Sequence, residues 1–169
     1  NIMHKVLESL IKEVNKEKLS LAELSEEERD ALADRLVDEI SADYGNTILK
    51  SSARNEYMIQ RTKRMMRRTV WAVQEQLKSG EFEPEGVEVV FQGGRIDRVD
   101  TMETDDGKLY VRVIDYKTGN TSFDLVSLYH GLQLQLMIYM DGALTVEQNK
   151  HKDKDVIPAG VFYYNIKDP

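Results

Sequence analysis

"GRIDRVDTMETDDGKLYVRVIDYKTG", residues 94–119, contains two strand-like segments joined by a short polar loop. Each segment alternates β-branched or aromatic residues with polar ones, which is typical of a strand with one buried face. The middle of the stretch, Asp105–Asp106–Gly107, fits a three-residue hairpin loop in which the glycine takes the left-handed conformation. This loop predicts an antiparallel hairpin in which Thr104 pairs with Lys108.

The same register places Asp97 directly opposite Asp115 on one face of the hairpin, with Cβ atoms about 4.5–5.5 Å apart. It also pairs Asp100 with Arg112 on the other face, and that opposite-charge pair supports the alignment. Two opposed carboxylates repel each other unless a cation or a proton lies between them. A slip of one residue would instead place Asp97 opposite a neighbour of Asp115 and would weaken the prediction.

Lys117 follows Asp115 by two residues and therefore shares its face of the strand. A pair of carboxylates can bind a hard divalent cation such as Mg²⁺ through oxygen. Such a metal activates water and neutralises charge on a phosphate, and a nearby lysine can orient the nucleophile or stabilise the developing charge. These three residues predict metal-dependent phosphoryl chemistry. A surface hairpin with solvated charges explains the same residues, so the hairpin alone leaves both readings open.

The remaining sequence predicts an α/β domain with a mixed central sheet flanked by helices. Apolar residues at three- and four-residue spacing predict the helices, and alternating β-branched runs predict the strands. The predicted helices cover 2–15, 26–43, 47–79 and 124–142, and the predicted strands cover 87–91, 94–103, 108–117 and 157–166. Ser25 and Glu28 match a capping box at the start of the second helix. "TVEQNKHKDKD", residues 145–155, is predicted to be a polar surface loop.

The composition is that of an ordinary globular domain, with 169 residues, 41% hydrophobic and 31% charged. We expect residues 1–169 to form a single domain. Since helical patterning begins at the first residues, we also expect it to be excised from a larger protein. The chain has no cysteine, which excludes disulfides and thiolate metal sites and fits a cytoplasmic protein. It has no run of 18 apolar residues and no signal peptide, so we expect no membrane partner.

The charge of the chain is distributed unevenly. The net charge of −7 argues against nucleic acid binding, but residues 50–68 carry seven basic residues and one acid. A local basic surface is the feature that indicates phosphate contacts. Arg61, Arg64 and Arg68 in this segment are therefore candidates to bind the DNA backbone. A solvated helix face is the alternative.

Four short motifs resemble those of the RecB-like branch of the PD-(D/E)XK nucleases. In chain order they are "NIMHKVLE" (1–8), "GRID" (94–97), "DYK" (115–117), and the Q-x-x-x-Y pair Gln135 and Tyr139. More narrowly, "YHGLQLQLMIYMDGAL" and "FYYNIKDP" resemble the nuclease domain in B subunits of AddAB-type helicase–nucleases. The resemblance covers nearly the whole chain and implies a restriction-endonuclease-like core.

The resemblance also implies roles for individual residues. His4 is implied as a third metal ligand beside Asp97 and Asp115, with the backbone carbonyl of Tyr116 as a further ligand. Without the motif, a solvated or cap histidine is the favoured interpretation of His4. Glu8, one helical turn on, can orient His4 or a bound water, or be a plain surface residue.

Gln135 and Tyr139 are implied to face the active site and to contact the DNA backbone or Lys117. Gln133 is the alternative to Gln135 if the helix has a different phase. The iron–sulfur cluster of the full-length relatives is held by four cysteines and is not expected in this cysteine-free chain.

The implied function is a DNA exonuclease that depends on Mg²⁺ or Mn²⁺ and acts in double-strand break repair and recombination. Its implied partners are a single strand from an unwound duplex end and an AddA-type helicase–nuclease subunit. Two alternatives stay open at this point. One is a catalytically inactive DNA-binding or scaffold module on the same fold, and the other is a stand-alone RecB-like nuclease.

His4 generates a prediction about metal preference. Mn²⁺ gains more than Mg²⁺ from an imidazole ligand, because it is the softer ion. We expect His4→Ala to weaken Mn²⁺ binding more than Mg²⁺ binding and to leave metal-free thermal stability nearly unchanged. Calorimetric titration of both ions into the wild type and the variant measures this. Equal affinities in the two proteins would make His4 an ordinary helix-end residue.

Overall fold

The computed structural model describes residues 2–44, 53–118 and 125–166. Four helices and four strands follow in the order α1 (Ile2–Glu17), α2 (Glu26–Tyr44), α3 (Ala53–Lys78), β1 (Glu83–Phe91), β2 (Gly94–Glu103), β3 (Lys108–Thr118), α4 (Leu125–Lys150) and β4 (Asp155–Ile166). The sheet is mixed and the class is α/β, which confirms the predicted fold class. No helix in the described segments is long and apolar enough to cross a membrane.

The chain divides into two compact units, one formed mainly by residues 1–80 and the other by residues 81–165. In the first unit, α1, α2 and α3 pack together through their apolar stripes. The apolar side chains that these three helices bury are Met3, Val6, Leu7, Leu10, Ile11, Val14, Ala33, Leu36, Val37, Met66, Val70 and Val73. The prediction of one domain over residues 1–169 stays a prediction.

Two sets of side chain–backbone hydrogen bonds fix the start of α2. Ser25 Oγ accepts from the backbone N–H of Glu28 at 3.2 Å, and Glu28 Oε2 accepts from the backbone N–H of Ser25 at 2.9 Å. The predicted capping box is therefore confirmed, and these hydrogen bonds with Ser25 lower the pKa of Glu28. Buried Gln74 of α3 donates to the carbonyls of Leu21 and Leu24 at 2.9 and 2.7 Å, which holds the turn that leads into the helix.

The second unit contains the hairpin of β2 and β3. The sheet order is β1-β2-β3-β4, and β1–β2 and β2–β3 are antiparallel. The paired residues run from Arg98 with Ile114 to Glu103 with Leu109, so the predicted register is confirmed over this ladder. Gly107 has φ of +81°, the left-handed conformation that the three-residue loop requires.

Helix α4 connects β3 to β4 and packs on the sheet. Ala143 packs with Ile96, Val99, Val111 and Val113 in the core of this unit. The helix extends to Lys150, so the prediction of a helix that ends at residue 142 was wrong. The polar residues 145 and 148–150 are exposed, while Ala143 and Glu147, one turn apart, are buried. The end of the helix was missed because the buried residue of its last turn is a glutamate.

A charged network lies under the hairpin in the second unit. Arg98 and Asp100 are both fully buried, and the arginine donates two hydrogen bonds of 2.6 Å to the aspartate. Arg112, the cross-strand partner of Asp100, donates to the same carboxylate at 2.6 and 3.1 Å. A third Arg98 donor reaches the hydroxyl of Tyr116 at 2.9 Å. The buried charges are therefore paired and hydrogen-bonded, which is the condition for tolerating them.

We predict that Asp100→Asn destabilises the chain by about 3–5 kcal/mol, because it leaves the buried guanidinium of Arg98 without its countercharge. Asp105→Asn is the matched control, since it removes the same charge from the exposed hairpin loop and should leave the urea midpoint nearly unchanged. Urea unfolding followed by circular dichroism measures both. Equal midpoints in the two variants would contradict a stabilising role for the network.

Candidate active site

Asp97 is held at the end of the paired part of the hairpin. It lies one residue beyond the Arg98–Ile114 pair, at the position that the register places next to Asp115. Its side chain is half-buried, and its Oδ2 accepts a hydrogen bond of 2.8 Å from the backbone N–H of Tyr116. The carboxylate is therefore tied to the segment of β3 that carries the D-Y-K motif.

Asp115 and Lys117 lie on one face of β3 and form an ion pair. Lys117 Nζ is 2.6 Å from Asp115 Oδ2, and the aspartate side chain is only 6% exposed while the lysine side chain is 38% exposed. A carboxylate this buried needs a cation beside it. Residues two apart on a strand share a face, as predicted, and this places the Lys117 ammonium beside the Asp115 carboxylate.

Tyr116 projects to the opposite face of β3 and anchors the motif from behind. Its ring is buried, meets Tyr164 edge to face with centroids 6.0 Å apart, and its hydroxyl accepts from Arg98. Burial raises the pKa of the Tyr116 phenol, against the opposing effect of the Arg98 charge. The tyrosine is thus held by its backbone N–H and by its side chain, and its own carbonyl is the predicted metal ligand.

Gln135 and Tyr139 lie one turn apart on α4, as their spacing predicts, and Gln135 Nε2 donates to the Tyr139 hydroxyl at 2.9 Å. The Tyr139 ring packs edge to face on Phe91 at 6.0 Å. A Cβ added to Gly94, the glycine of the G-x-I-D motif, would lie 3.9 Å from the Tyr139 ring. The pair therefore lies beside the start of β2. The side chain of Gln133, the alternative to Gln135, lies outside the described residues.

Tyr163 of β4 belongs to this group, although the sequence motifs do not include it. Lys117 Nζ lies 5.3 Å from the centroid of its ring. Burial, the charge of Asp115 and the nearby Tyr139 raise the pKa of Tyr163 to about 12. Its buried hydroxyl has no hydrogen-bond partner among the described residues. In the sequence, "VFYYNI" carries only a strand signal, and nothing in its pattern distinguishes Tyr163 from the neighbouring aromatic residues.

His4 and Glu8 lie on α1 in the first unit. His4 is half-buried in the first turn of the helix. Glu8 forms an ion pair with Lys12 on the next turn. The participation of His4 in the metal site and of Glu8 beside it stay predictions.

The basic residues of α3 divide into two sets. Lys63 and Arg67 face α2, where they pair with Asp38 and Asp34, each at 2.7 Å. Arg64 and Arg68 are exposed, and they form no ion pair with any residue in the described part of the chain. Arg61 is half-buried. The exposed set is thus the part of the basic segment whose charge is available to a ligand.

Comparison with known proteins identifies the family. The model of the PD-(D/E)XK nuclease superfamily matches residues 1–169. The chain belongs to this superfamily. The superfamily takes its name from an acidic pair followed by a lysine, and Asp97, Asp115 and Lys117 occur in the hairpin in that order.

The chain is also similar to the B subunits of several ATP-dependent helicase/deoxyribonucleases. It is 44% identical to the one from Lachnoclostridium phytofermentans over 177 residues, and 35% identical to that from Alkaliphilus metalliredigens over 188 residues. The match to the protein from Caldanaerobacter subterraneus subsp. tengcongensis is 37% identical over 187 residues. The alignments cover 99–100% of this chain but only 15–16% of each relative.

The donor set at the end of the hairpin fits a divalent metal. Asp115 is a nearly buried carboxylate paired with the Lys117 ammonium, and Asp97 supplies a second carboxylate one step along the register. Oxygen donors of this kind suit Mg²⁺ and Mn²⁺. The predicted ligands in this unit are Asp97, Asp115 and the Tyr116 carbonyl.

Tyr163 generates a prediction at this site. Its ring lies under the Lys117 ammonium, a contact that contributes about 0.5–1 kcal/mol at partly exposed positions. We expect Tyr163→Leu to lower phosphodiester hydrolysis about two- to fivefold, which is that energy converted to a rate. Tyr163→Phe keeps the ring and removes a hydroxyl that lacks a partner among the described residues, so its rate and unfolding midpoint should match the wild type. Equal rates in the Leu and Phe variants would exclude a positioning role for the ring.

Proposed function

We propose that this chain is a divalent-metal-dependent deoxyribonuclease domain that hydrolyses phosphodiester bonds at a DNA end. The observation that carries the proposal is that the Asp115–Lys117 ion pair and the Asp97 carboxylate, which accepts from the Tyr116 N–H, both lie at one end of the β2–β3 hairpin. Superfamily membership and the deoxyribonuclease names of the relatives support it. Burying the Asp115 carboxylate has a desolvation cost that an ordinary surface ion pair does not have. The same arrangement, with a partly exposed lysine beside it, is suited to binding a metal and a phosphate.

Each residue of the site has a part in the proposed reaction. A bound Mg²⁺ or Mn²⁺ supplies an activated water and charge neutralisation at the phosphate. Asp97 and Asp115 hold it, and the hydrogen bond from the Tyr116 N–H fixes the angle of the first carboxylate. Lys117 is anchored by Asp115 and by the Tyr163 ring, so its ammonium is positioned before substrate binds. It orients the water and stabilises the charge that develops on the phosphoryl oxygens.

The amide of Gln135 and the hydroxyl of Tyr139 are proposed to contact the DNA backbone. Their mutual hydrogen bond fixes both side chains at one edge of the site. The amide has a second N–H with which it can donate to a phosphate oxygen. Such contacts bind backbone without reading sequence, which suits an enzyme that degrades a strand progressively.

The proposed setting follows from the relatives. They carry helicase in their names and are about six times longer than the matched region, so motor functions belong to parts of those proteins outside the match. We infer that the substrate is a single strand released by unwinding and that the domain acts with an AddA-type subunit in repair of double-strand breaks.

The central test is removal of the Asp115 carboxylate and of the Lys117 ammonium from β3, one at a time. We expect Asp115→Ala and Lys117→Ala each to reduce Mg²⁺- or Mn²⁺-dependent degradation of end-labelled single-stranded DNA by at least about 100-fold, in protein that circular dichroism shows to be folded. Lys108→Ala is the matched control, because this lysine lies on the same strand and pairs with Asp106 near the hairpin loop. Activity within about threefold of wild type in either site variant, with metal saturating, would refute the mechanism.

A second test separates DNA contact from helix packing on α3. Arg61, Arg64 and Arg68 changed together to Ala should weaken DNA binding and flatten its salt dependence, because each lost phosphate contact reduces counterion release. Lys63→Ala with Arg67→Ala removes charge from the same helix, but these two residues pair with α2. This control should lower thermal stability and leave the salt slope nearly unchanged. An unchanged slope in the triple variant would mean that the three arginines form only a solvated face.

A further inference from the structure

A second cluster of metal-ligating side chains lies in the sheet unit and has no part in the proposed reaction. Glu85 of β1, Glu147 near the end of α4, and His151 just after that helix each bring one ligand atom within 4.8 Å of the others. All three residues belong to residues 81–165, the compact unit built around the sheet.

Glu147 is the centre of this cluster and is unusual for a glutamate in being fully buried. Its Oε1 lies 3.1 Å from Lys150 Nζ. Its Oε2 is buried and has no hydrogen-bond partner among the described residues, and His151 Nε2 is 3.6 Å away from it. Burying a carboxylate oxygen without a donor is costly, so this oxygen is suited to binding a cation.

Glu85 reaches the cluster because of an irregularity in β1. The pairing of β1 with β2 shifts between Pro84 and Gly86, so Glu85 is the extra residue of a β-bulge. A bulge bends its strand and turns a side chain away from the regular alternation. Glu85 Oε1 consequently lies 3.8 Å from the same Lys150 ammonium that pairs with Glu147.

His151 is fixed beside Glu147 by the way α4 ends. Its backbone N–H donates to the Glu147 carbonyl at 2.9 Å, and its own carbonyl accepts from the Lys154 N–H at 3.2 Å and from Gln148 Nε2 at 3.3 Å. Residues four apart lie on the same side of a helical turn. The imidazole is therefore on the side where Glu147 is buried, and it is 28% exposed.

We propose that Glu85, Glu147 and His151 form a zinc site that ties the bulge of β1 to the end of α4. One imidazole nitrogen, two carboxylates and one water make a four-coordinate set of the kind Zn²⁺ accepts, with bonds of about 2.0–2.2 Å. The three side chains need to close by about an ångström to reach that geometry. Lys150 is the competing cation, and because its side chain is 43% exposed it can turn into solvent when the metal binds.

The test is calorimetric titration of Zn²⁺ into the 169-residue chain carrying Asp97→Asn and Asp115→Asn, which remove the carboxylates of the candidate active site. One ion should bind. Glu85→Gln and His151→Ala should each weaken its affinity at least about tenfold, since each removes one of three protein ligands. Asp153→Asn is the control, because it removes an exposed charge two residues from His151 and should have no effect.

Lys150→Met supplies the decisive comparison. If the cluster is a zinc site, removing the competing ammonium should tighten Zn²⁺ binding and increase the rise in melting temperature that zinc produces. This gain cannot result from misfolding. Zinc affinity that is unchanged by Glu85→Gln and His151→Ala, or weakened by Lys150→Met, would overturn the proposal and leave Lys150 as the cation that the cluster is built to hold. Neither result bears on the nuclease activity, since none of these residues belongs to the candidate active site.

Discussion

The register of the β2–β3 hairpin is the constraint on which the site depends. A strand alternates its faces, so one alignment decides at once which side chains are buried and which carboxylates meet. The observed ladder pairs Asp100 with Arg112 and leaves Asp97 and Asp115 as its next step. One face then carries the acids and the lysine, and the other carries a buried network of charges. A shift of one residue would separate Asp100 from Arg112 and leave buried charges unpaired on one face. It would also separate Asp97 from Asp115 on the other face.

The two faces also differ in how completely their charges are matched. Behind the site, two arginines share one aspartate through hydrogen bonds of 2.6–3.1 Å, and Arg98 also donates to the Tyr116 hydroxyl at 2.9 Å. In front, Asp115 pairs with the partly exposed Lys117, and the carboxylate of Asp97 accepts from the Tyr116 N–H. A satisfied network thus supports a site with two carboxylates and one ammonium, and a net negative charge of this kind favours the proposed binding of a cation.

The sequence predicted the parts of this fold that follow from local rules. Hairpin register, capping box and the bounds of β2 come from turn chemistry, side-chain hydrogen bonding and alternation, and all three were confirmed. The last two turns of α4 were missed because Glu147 is buried where the periodicity expects an apolar residue. Tyr163 was missed for a different reason: its proximity to Lys117 comes from the order of strands in the sheet, which a strand pattern does not contain. The sequence also did not predict which basic residues of α3 form ion pairs and which are exposed. That division depends on where α2 packs, because Lys63 and Arg67 pair with acids of α2.

The three-residue loop with its left-handed glycine makes the hairpin register more sensitive to the length of the loop than to the side chains that the loop carries. The tip lies about 23 Å along the strand from the acids, and Asp105 and Asp106 there are exposed. If a residue gained or lost at the same place shifted the pairing by one position, every side chain of β3 would move to the opposite face. Asp115 would then exchange places with Tyr116, and an event in a surface loop would erase a distant site. Among related chains, variation at this tip should therefore appear as substitutions at constant loop length.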